Sequence, residues 1–144
     1  MQLSSAAFEE GGQIPPRYTC DGEDVGPPVS WEAVPAGTAE LALVMDDPDA
    51  GGFVHWVVVG IPPGDGQLAE GQLPAGARLG RNDFAGTGYR GPCPPSGSHR
   101  YVLTLFALSA PLAVSAAPTA EEVRTAAAGL TLGEERLSAS YARR

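Results

Sequence analysis

One stretch dominates the sequence: residues Gly88 to Leu108 read GYRGPCPPSGSHRYVLTLFAL. Its first half is rich in proline, which fixes the backbone, and in glycine, which permits angles that other residues avoid, so it predicts a rigid loop. Its second half, from His99, is an apolar run typical of a core strand. Because successive strand residues point to opposite faces, His99 and Tyr101 share one face, which Leu103 continues inward. The stretch predicts a polar pair at the mouth of a core strand.

A second segment gives this polar pair candidate neighbours. Residues 41–61 read LALVMDDPDAGGFVHWVVVGI, two apolar runs joined by a short loop, which is typical of an antiparallel strand pair. The last residues of the first strand and the first residues of the second lie at the same end of such a pair, so Asp47, Asp49 and His55 are expected to be neighbours. An unsatisfied buried polar group costs on the order of 1 to 3 kcal/mol, so Asp47 or Asp49 is the expected partner of His55.

The two segments predict a single site if the strand that begins at His99 starts at the same end of the sheet as Asp47 and His55. His99 alone also fits a structural capping role, and convergence with the second segment is what favours a binding site. Two imidazoles, the Tyr101 hydroxyl and the N–H groups around Gly91 to Cys93 offer donors for an oxyanion, and Asp47 can orient a histidine. The carboxylates can also accept from an ammonium group, so a zwitterion such as phosphoethanolamine suits the site.

Composition and charge exclude several classes of function. The chain has 144 residues, which fits one domain over residues 1–144, and a net charge of −8 with nine arginines and no lysine. Without a basic stripe, a nucleic-acid partner or docking on an anionic membrane is not expected. No apolar run is long enough to span a bilayer, and the first residues lack a charged and then apolar leader. These features predict a cytoplasmic protein without integral membrane association.

The two cysteines, Cys20 and Cys93, are too few for a disulfide scaffold. In a cytoplasmic protein they are expected to be reduced, and a bridge between them remains the alternative that geometry decides. Neither has the Cys-x-x-Cys or Cys-His spacing of zinc ligands, and no metal or other cofactor is predicted.

A resemblance to a known family rests on motifs that occur in the family's order. The chain resembles the phosphatidylethanolamine-binding protein family, which includes the Raf kinase inhibitor protein, and is similar to its compact bacterial branch. The motifs are IPPRYTCDG at residues 14–22, DPDA at 47–50, HW at 55–56 and GPCPPSGSHRY at 91–101. Two departures are Gly51, where the family commonly has proline, and Gly60, where asparagine is usual; Gly51 predicts a more open or more mobile pocket rim.

The resemblance implies both a fold and a set of site residues. We expect an all-β antiparallel sandwich with short helices, including a C-terminal helix. One capping box, Thr119 to Glu122, predicts a short helix, and a second, Thr131 to Glu134, predicts a terminal helix through Tyr141. The residues expected to bind the ligand are Asp21, Asp47, Asp49, His55, Gly91, Pro92, Cys93, His99, Tyr101 and Tyr141.

Three functions compete for this set of residues. The first is a non-enzymatic binding protein for a small anionic or zwitterionic ligand, phosphate-containing or like a phospholipid head group, that modulates a kinase or a protease. The second is a metal-dependent or other hydrolase using the His and Asp residues, although no His-Glu-x-x-His or Gly-x-Ser-x-Gly motif supports it. The third is an interaction protein with a vestigial pocket. The resemblance also implies a homodimer, because bacterial relatives often pair.

Overall fold

Eight strands form two antiparallel sheets in the computed structural model, which describes residues 1–143. The smaller sheet has the order β1-β2-β5, with β1 at Gln2–Ser4, β2 at Val29–Glu32 and β5 at Gly66–Leu68. The larger sheet has the order β6-β4-β3-β7-β8, with β6 at Arg78–Leu79, β4 at Phe53–Ile61, β3 at Glu40–Asp47, β7 at Ser98–Leu108 and β8 at Thr131–Ala142. The α-helix α1 spans Ala120–Ala127. The predicted antiparallel β fold with short helices is confirmed.

The three central strands of the larger sheet are apolar on both faces because each face covers a separate core. On one face Leu43, Met45 and Leu103 pack in a cluster that includes Trp31 of the smaller sheet. On the other face the alternate residues pack in a second cluster that includes Val123 of α1. A strand buried on both faces needs a continuous apolar run rather than an alternating one, which is what β3 and β4 carry.

The C-terminal part of the chain contains one predicted helix and one strand in place of the other. Thr119 caps α1 through the expected box, in which its hydroxyl accepts from the Glu122 N–H and the Glu122 side chain accepts from the Thr119 N–H. The terminal helix predicted from Thr131 through Tyr141 is wrong, because these residues form β8, which pairs with β7 along its length. Without β8, one edge of β7 would leave its N–H and C=O groups unpaired.

Candidate functional site

A cavity of about 170 Å³ opens where the end of β3 meets the starts of β4 and β7. This position follows from topology, since β3 lies between β4 and β7 and is antiparallel to both. The structure brings Asp47, His55, His99 and Tyr101 together here; that they bind a ligand stays a prediction. The lining residues are Asp47, Ala50, Phe53, His55, Phe84, Cys93, Pro94, Pro95, His99 and Tyr101.

A buried carboxylate holds one of the two histidines in place. Asp47 Oδ2 lies 2.5 Å from His99 Nδ1, and Asp47 Oδ1 accepts the Asp49 N–H at 2.9 Å. Only 2 % of Asp47 is exposed, so its carboxylate oxygens bind these two groups and not bulk water. Because the carboxylate accepts, Nδ1 of His99 carries the hydrogen and Nε2 is the ring nitrogen left for a ligand.

His55 has a backbone partner instead of the predicted aspartate. Its Nδ1 lies 2.6 Å from the Arg90 carbonyl oxygen, so neither Asp47 nor Asp49 satisfies it by a hydrogen bond. Burial lowers the pKa of His55, and the Arg90 carbonyl and the charge of Asp47 offset part of that effect. The imidazole is therefore neutral near pH 7.

Aromatic rings close the cavity around His55. The rings of Phe53, Phe84 and Tyr101 meet the His55 ring edge-on, with centroids 5.3, 5.4 and 5.3 Å from it. Burial raises the pKa of Tyr101, so its hydroxyl keeps its proton at neutral pH. The guanidinium of Arg90 lies over the Phe84 ring, 5.0 Å from its centroid, and forms an ion pair with Asp24 at 3.7 Å.

Sequence reasoning missed Phe53 and Phe84 as cavity residues. Phe53 stands two residues before His55 on the same face of β4, a spacing that the period of a strand makes readable. No sequence pattern indicates Phe84 in this way, because its position depends on the conformation of a loop. The Asn82 side chain shapes that loop by accepting from the Phe84 N–H at 2.9 Å and donating to the Gly88 carbonyl at 3.1 Å.

Gly91 and Pro92 support the cavity wall but do not line it. The Gly91 N–H donates to Asp24 Oδ1 at 2.8 Å, and the Pro92 carbonyl accepts from the Cys20 N–H at 3.1 Å. The expectation that the Gly91 N–H serves an oxyanion is therefore wrong. A Cβ at Gly91 would lie 2.1 Å from the Tyr18 carbonyl oxygen, so the close approach of the two loops requires glycine.

The cysteines form a disulfide, so the prediction of two reduced thiols is wrong. Cys20 and Cys93 are bonded, with their Cα atoms 5.4 Å apart, although they are 73 positions apart in sequence. The spacing of the two residues carried no signal for this pairing, because the contact arises from the packing of two distant loops. Since Cys93 lines the cavity, the disulfide ties the cavity wall to the loop that contains Cys20.

Three other predicted site residues lie outside the cavity. Asp49 accepts the Arg100 N–H at 2.8 Å and stabilises the turn after β3. Asp21 accepts from the Tyr141 hydroxyl at 2.5 Å, and both line a separate, open groove beside Pro15. The structure thus separates Asp21 and Tyr141 from the two histidines.

Within residues 1–143, no three His, Cys, Asp or Glu side chains are grouped so that they could hold a metal ion. In the same part of the chain, no helix has the length and apolar character needed to cross a bilayer.

A small, partly apolar cavity with a few convergent polar groups at the edge of a β-sandwich is the arrangement of a small-ligand-binding protein. A comparison with known protein families identifies the family to which the chain belongs. The family model described as phosphatidylethanolamine-binding protein matches residues 4–142. The chain belongs to this family, as the motifs indicated.

Relatives and solved structures agree with this assignment. A UPF0098 protein of Methanothermobacter thermautotrophicus is 47 % identical and covers 99 % of both chains. The phosphatidylethanolamine-binding protein homologue CT736 of Chlamydia trachomatis has a TM-score of 0.94 at 34 % identity, covering 99 % of this chain and 97 % of its own. E. coli YbcL, described as a member of the mammalian family, has a TM-score of 0.92 at 28 % identity, covering 99 % and 98 %.

One relative overturns the prediction of a cytoplasmic location. A Mycobacterium tuberculosis protein that is 43 % identical, covering 98 % of this chain and 72 % of its own, bears the name "Putative lipoprotein LppC". Lipoproteins are held at membranes, so the composition and the first residues of this sequence were not a sound basis for placing the chain in the cytoplasm.

Proposed function

We propose that this chain is a non-enzymatic binding protein whose cavity holds a small anionic group, from a phosphate-containing ligand or one like a phospholipid head group. The observation that carries this is the buried Asp47–His99 pair at the cavity mouth. Because Asp47 engages Nδ1, Nε2 is the ring nitrogen through which His99 meets a ligand, and the pair holds the ring in a fixed orientation for that contact. The Tyr101 hydroxyl supplies a second donor within the same cavity.

The dimensions and surroundings of the cavity support a small ligand. Its volume of about 170 Å³ is well below the roughly 300–1,000 Å³ of sites for drug-sized molecules. The cavity therefore suits a head group better than a whole lipid.

The test follows the two histidine ring signals by NMR while inorganic phosphate or phosphoethanolamine is added. The chain has only two histidines, so His99→Gln assigns both signals. We expect saturable shifts of both rings at millimolar ligand. Tyr141→Phe, in the separate groove, is the matched control and should leave the titration unchanged. Absence of any shift in the wild-type protein would refute the proposal.

We propose further that binding proceeds without catalysis. The same samples test this, because a hydrolase would release inorganic phosphate from phosphoethanolamine during the titration. We expect the phosphorus spectrum to show intact ligand after a day with stoichiometric protein. Release that Asp47→Asn abolishes would instead establish a hydrolase. Modulation of a kinase or a protease and pairing into a homodimer stay predictions.

We also infer that the protein works outside the cytoplasm. Disulfides persist in oxidising compartments, and the Cys20–Cys93 bridge supports such a location. The name of LppC supports it independently. Fractionation of the source cells, with thiol labelling before and after reduction, tests the inference. Recovery in the cytoplasmic fraction with both cysteines labelled before reduction would contradict it.

A further inference from the structure

We propose that the groove between α1 and the outer face of β7 and β8 docks an extended acidic segment of a partner protein, one that also carries an apolar side chain. This groove has a volume of about 460 Å³. It lies on the face of the larger sheet opposite the histidine cavity, because Arg100 of β7 lines the groove while its neighbours His99 and Tyr101 line the cavity. The inference is therefore independent of the proposed anion-binding function.

The floor of the groove is a row of alternate β7 residues of which α1 covers only one end. The row consists of Arg100, Val102, Thr104 and Phe106. Phe106 packs in the core cluster that includes Val123 of α1, whereas Val102 belongs to neither core cluster and is half-buried. At the usual rise of about 3.4 Å per strand residue the row is about 20 Å long, which is the length of an extended segment of about six residues.

Three arginines border this row, and most of their N–H groups are available to a ligand. Within residues 1–143, the exposed Arg100 guanidinium has no hydrogen-bond or ion-pair partner. Arg124 donates one N–H to Asp46 at 2.9 Å, and Arg136 donates one to Glu134 at 3.2 Å. A guanidinium has five N–H donors in a fork that matches a carboxylate. The groove therefore offers more cationic donors than its own two carboxylates engage.

A buried hydroxyl in the floor also lacks a partner. Thr104 is 7 % exposed and lines the groove, and its side chain makes no hydrogen bond to any group in the described part of the chain. Its neighbours across the sheet are Val44 on β3 and Arg136 on β8. Buried polar side chains are normally hydrogen-bonded, and the backbone N–H or C=O of a segment lying over the floor can satisfy this hydroxyl.

A peptide segment fits these features better than a small ion does. A single phosphate or carboxylate ion can pair with an arginine, but it leaves the Val102 side chain and the Thr104 hydroxyl uncovered. An extended segment presents alternate side chains to the floor, so acidic side chains reach the arginines while an apolar one between them packs on Val102. Three of the nine arginines border this groove on a protein of net charge −8, so charge complementarity directs an acidic segment here.

Fluorescence anisotropy with a labelled peptide tests the inference. The probe is the acetylated hexapeptide Asp-Glu-Leu-Glu-Asp-Glu, and its control has lysine at every acidic position. We expect saturable binding of the acidic peptide at millimolar concentration or below, and binding of the lysine peptide weaker by about tenfold or more. Arg100→Glu should weaken binding of the acidic peptide by about fivefold or more. Arg143→Glu, an equal change of charge in the groove beside Tyr141, should leave it unchanged.

Thr104→Val separates a binding role of the hydroxyl from a structural one. Because the hydroxyl has no partner in the free protein, the variant should unfold at the same or a higher denaturant concentration than the wild type. Its affinity for the acidic peptide should nevertheless fall by about threefold or more. Lower stability with unchanged affinity would assign the hydroxyl to the fold and contradict its part in docking.

Three other outcomes would overturn the inference. The first is absence of saturable binding at millimolar peptide, and the second is binding that Arg100→Glu leaves unchanged. The third is displacement of the peptide by an equal concentration of inorganic phosphate, which would make the groove a small-anion site. Sedimentation of the same samples covers a second copy as occupant, because a wild-type dimer that Arg100→Glu dissociates would assign the groove to self-association instead.

Discussion

His55 is a buried titratable group, and its environment makes the stability of the protein depend on pH. Its folded pKa lies below the ordinary value because burial disfavours the imidazolium. The unfolded chain therefore binds more protons than the folded one between the folded pKa and about 6.5, so stability falls as pH drops through that window. Above this pH window His55 is neutral in both the folded and the unfolded chain, so it adds no pH dependence to the free energy of unfolding.

We predict that His55→Gln reduces this pH dependence. The slope of the free energy of unfolding against pH, measured by denaturant titration below pH about 6.5, should be smaller in the variant by up to about 1.4 kcal/mol per pH unit, the value for one proton. Carboxylates contribute equally to both proteins and cancel in the difference. Identical slopes would mean that His55 titrates normally in the folded state.

Gly91 lies where the two loops leave no space for a side chain. An added Cβ would lie 2.1 Å from the Tyr18 carbonyl oxygen and 2.6 Å from Asp24 Oδ1, both on the opposing loop. We predict that Gly91→Ala lowers the free energy of unfolding by about 1–3 kcal/mol, the usual cost of overpacking. Gly86→Ala is the matched control, since its nearest contact outside its chain neighbours is 3.8 Å and a change within about 0.5 kcal/mol is expected. Equal effects at the two positions would contradict the account.

At the scale of elements, the cavity depends on two loops held against each other. The residue 18–24 loop contacts the residue 89–93 loop through the Tyr89 hydroxyl, which donates to the Tyr18 carbonyl at 2.6 Å, and through the Gly91–Asp24 hydrogen bond. The Cys20–Cys93 disulfide adds a covalent link across 73 residues. The central strands place the histidines, and the contacts between the two loops hold Cys93 in the cavity wall.

We predict that replacing both cysteines with alanine leaves the fold but weakens it. The free energy of unfolding should fall by about 2–4 kcal/mol, because the unfolded chain is no longer constrained by the cross-link. The hydrogen bonds between the loops remain, so circular dichroism should show unchanged β content. Wild-type protein unfolded under reducing conditions is the control and should match the variant. A variant as stable as the oxidised wild type would show that the bridge contributes nothing.

The elements also show which parts of the structure the sequence could predict. β3, β4 and β7 were readable because their apolar runs are bounded by turn residues, and antiparallel adjacency then placed Asp47 near His55. β8 was not, because Leu137 and Tyr141 are four residues apart, which fits one face of a helix and one face of a strand equally. Pairing with β7 makes this segment a strand. Because that pairing is a long-range contact, the local sequence does not reveal it.

At the scale of the whole molecule, three features of the site that escaped prediction arise from loops that are distant in sequence and contact other segments in the fold. The disulfide, the Asp24 contact with Gly91 and the position of Phe84 each join segments tens of residues apart. No local pattern encodes such pairings. The larger sheet fixes the histidines, the loops complete the cavity, and together they make a small site on an acidic protein of this family.

The most direct test of the central claim is a crystal structure of the protein grown with saturating phosphoethanolamine. We predict phosphate density in the cavity, with oxygens within hydrogen-bonding distance of His99 Nε2, His55 Nε2 and the Tyr101 hydroxyl. A ligand bound in the groove beside Tyr141, or an empty cavity at saturating concentration, would contradict the account.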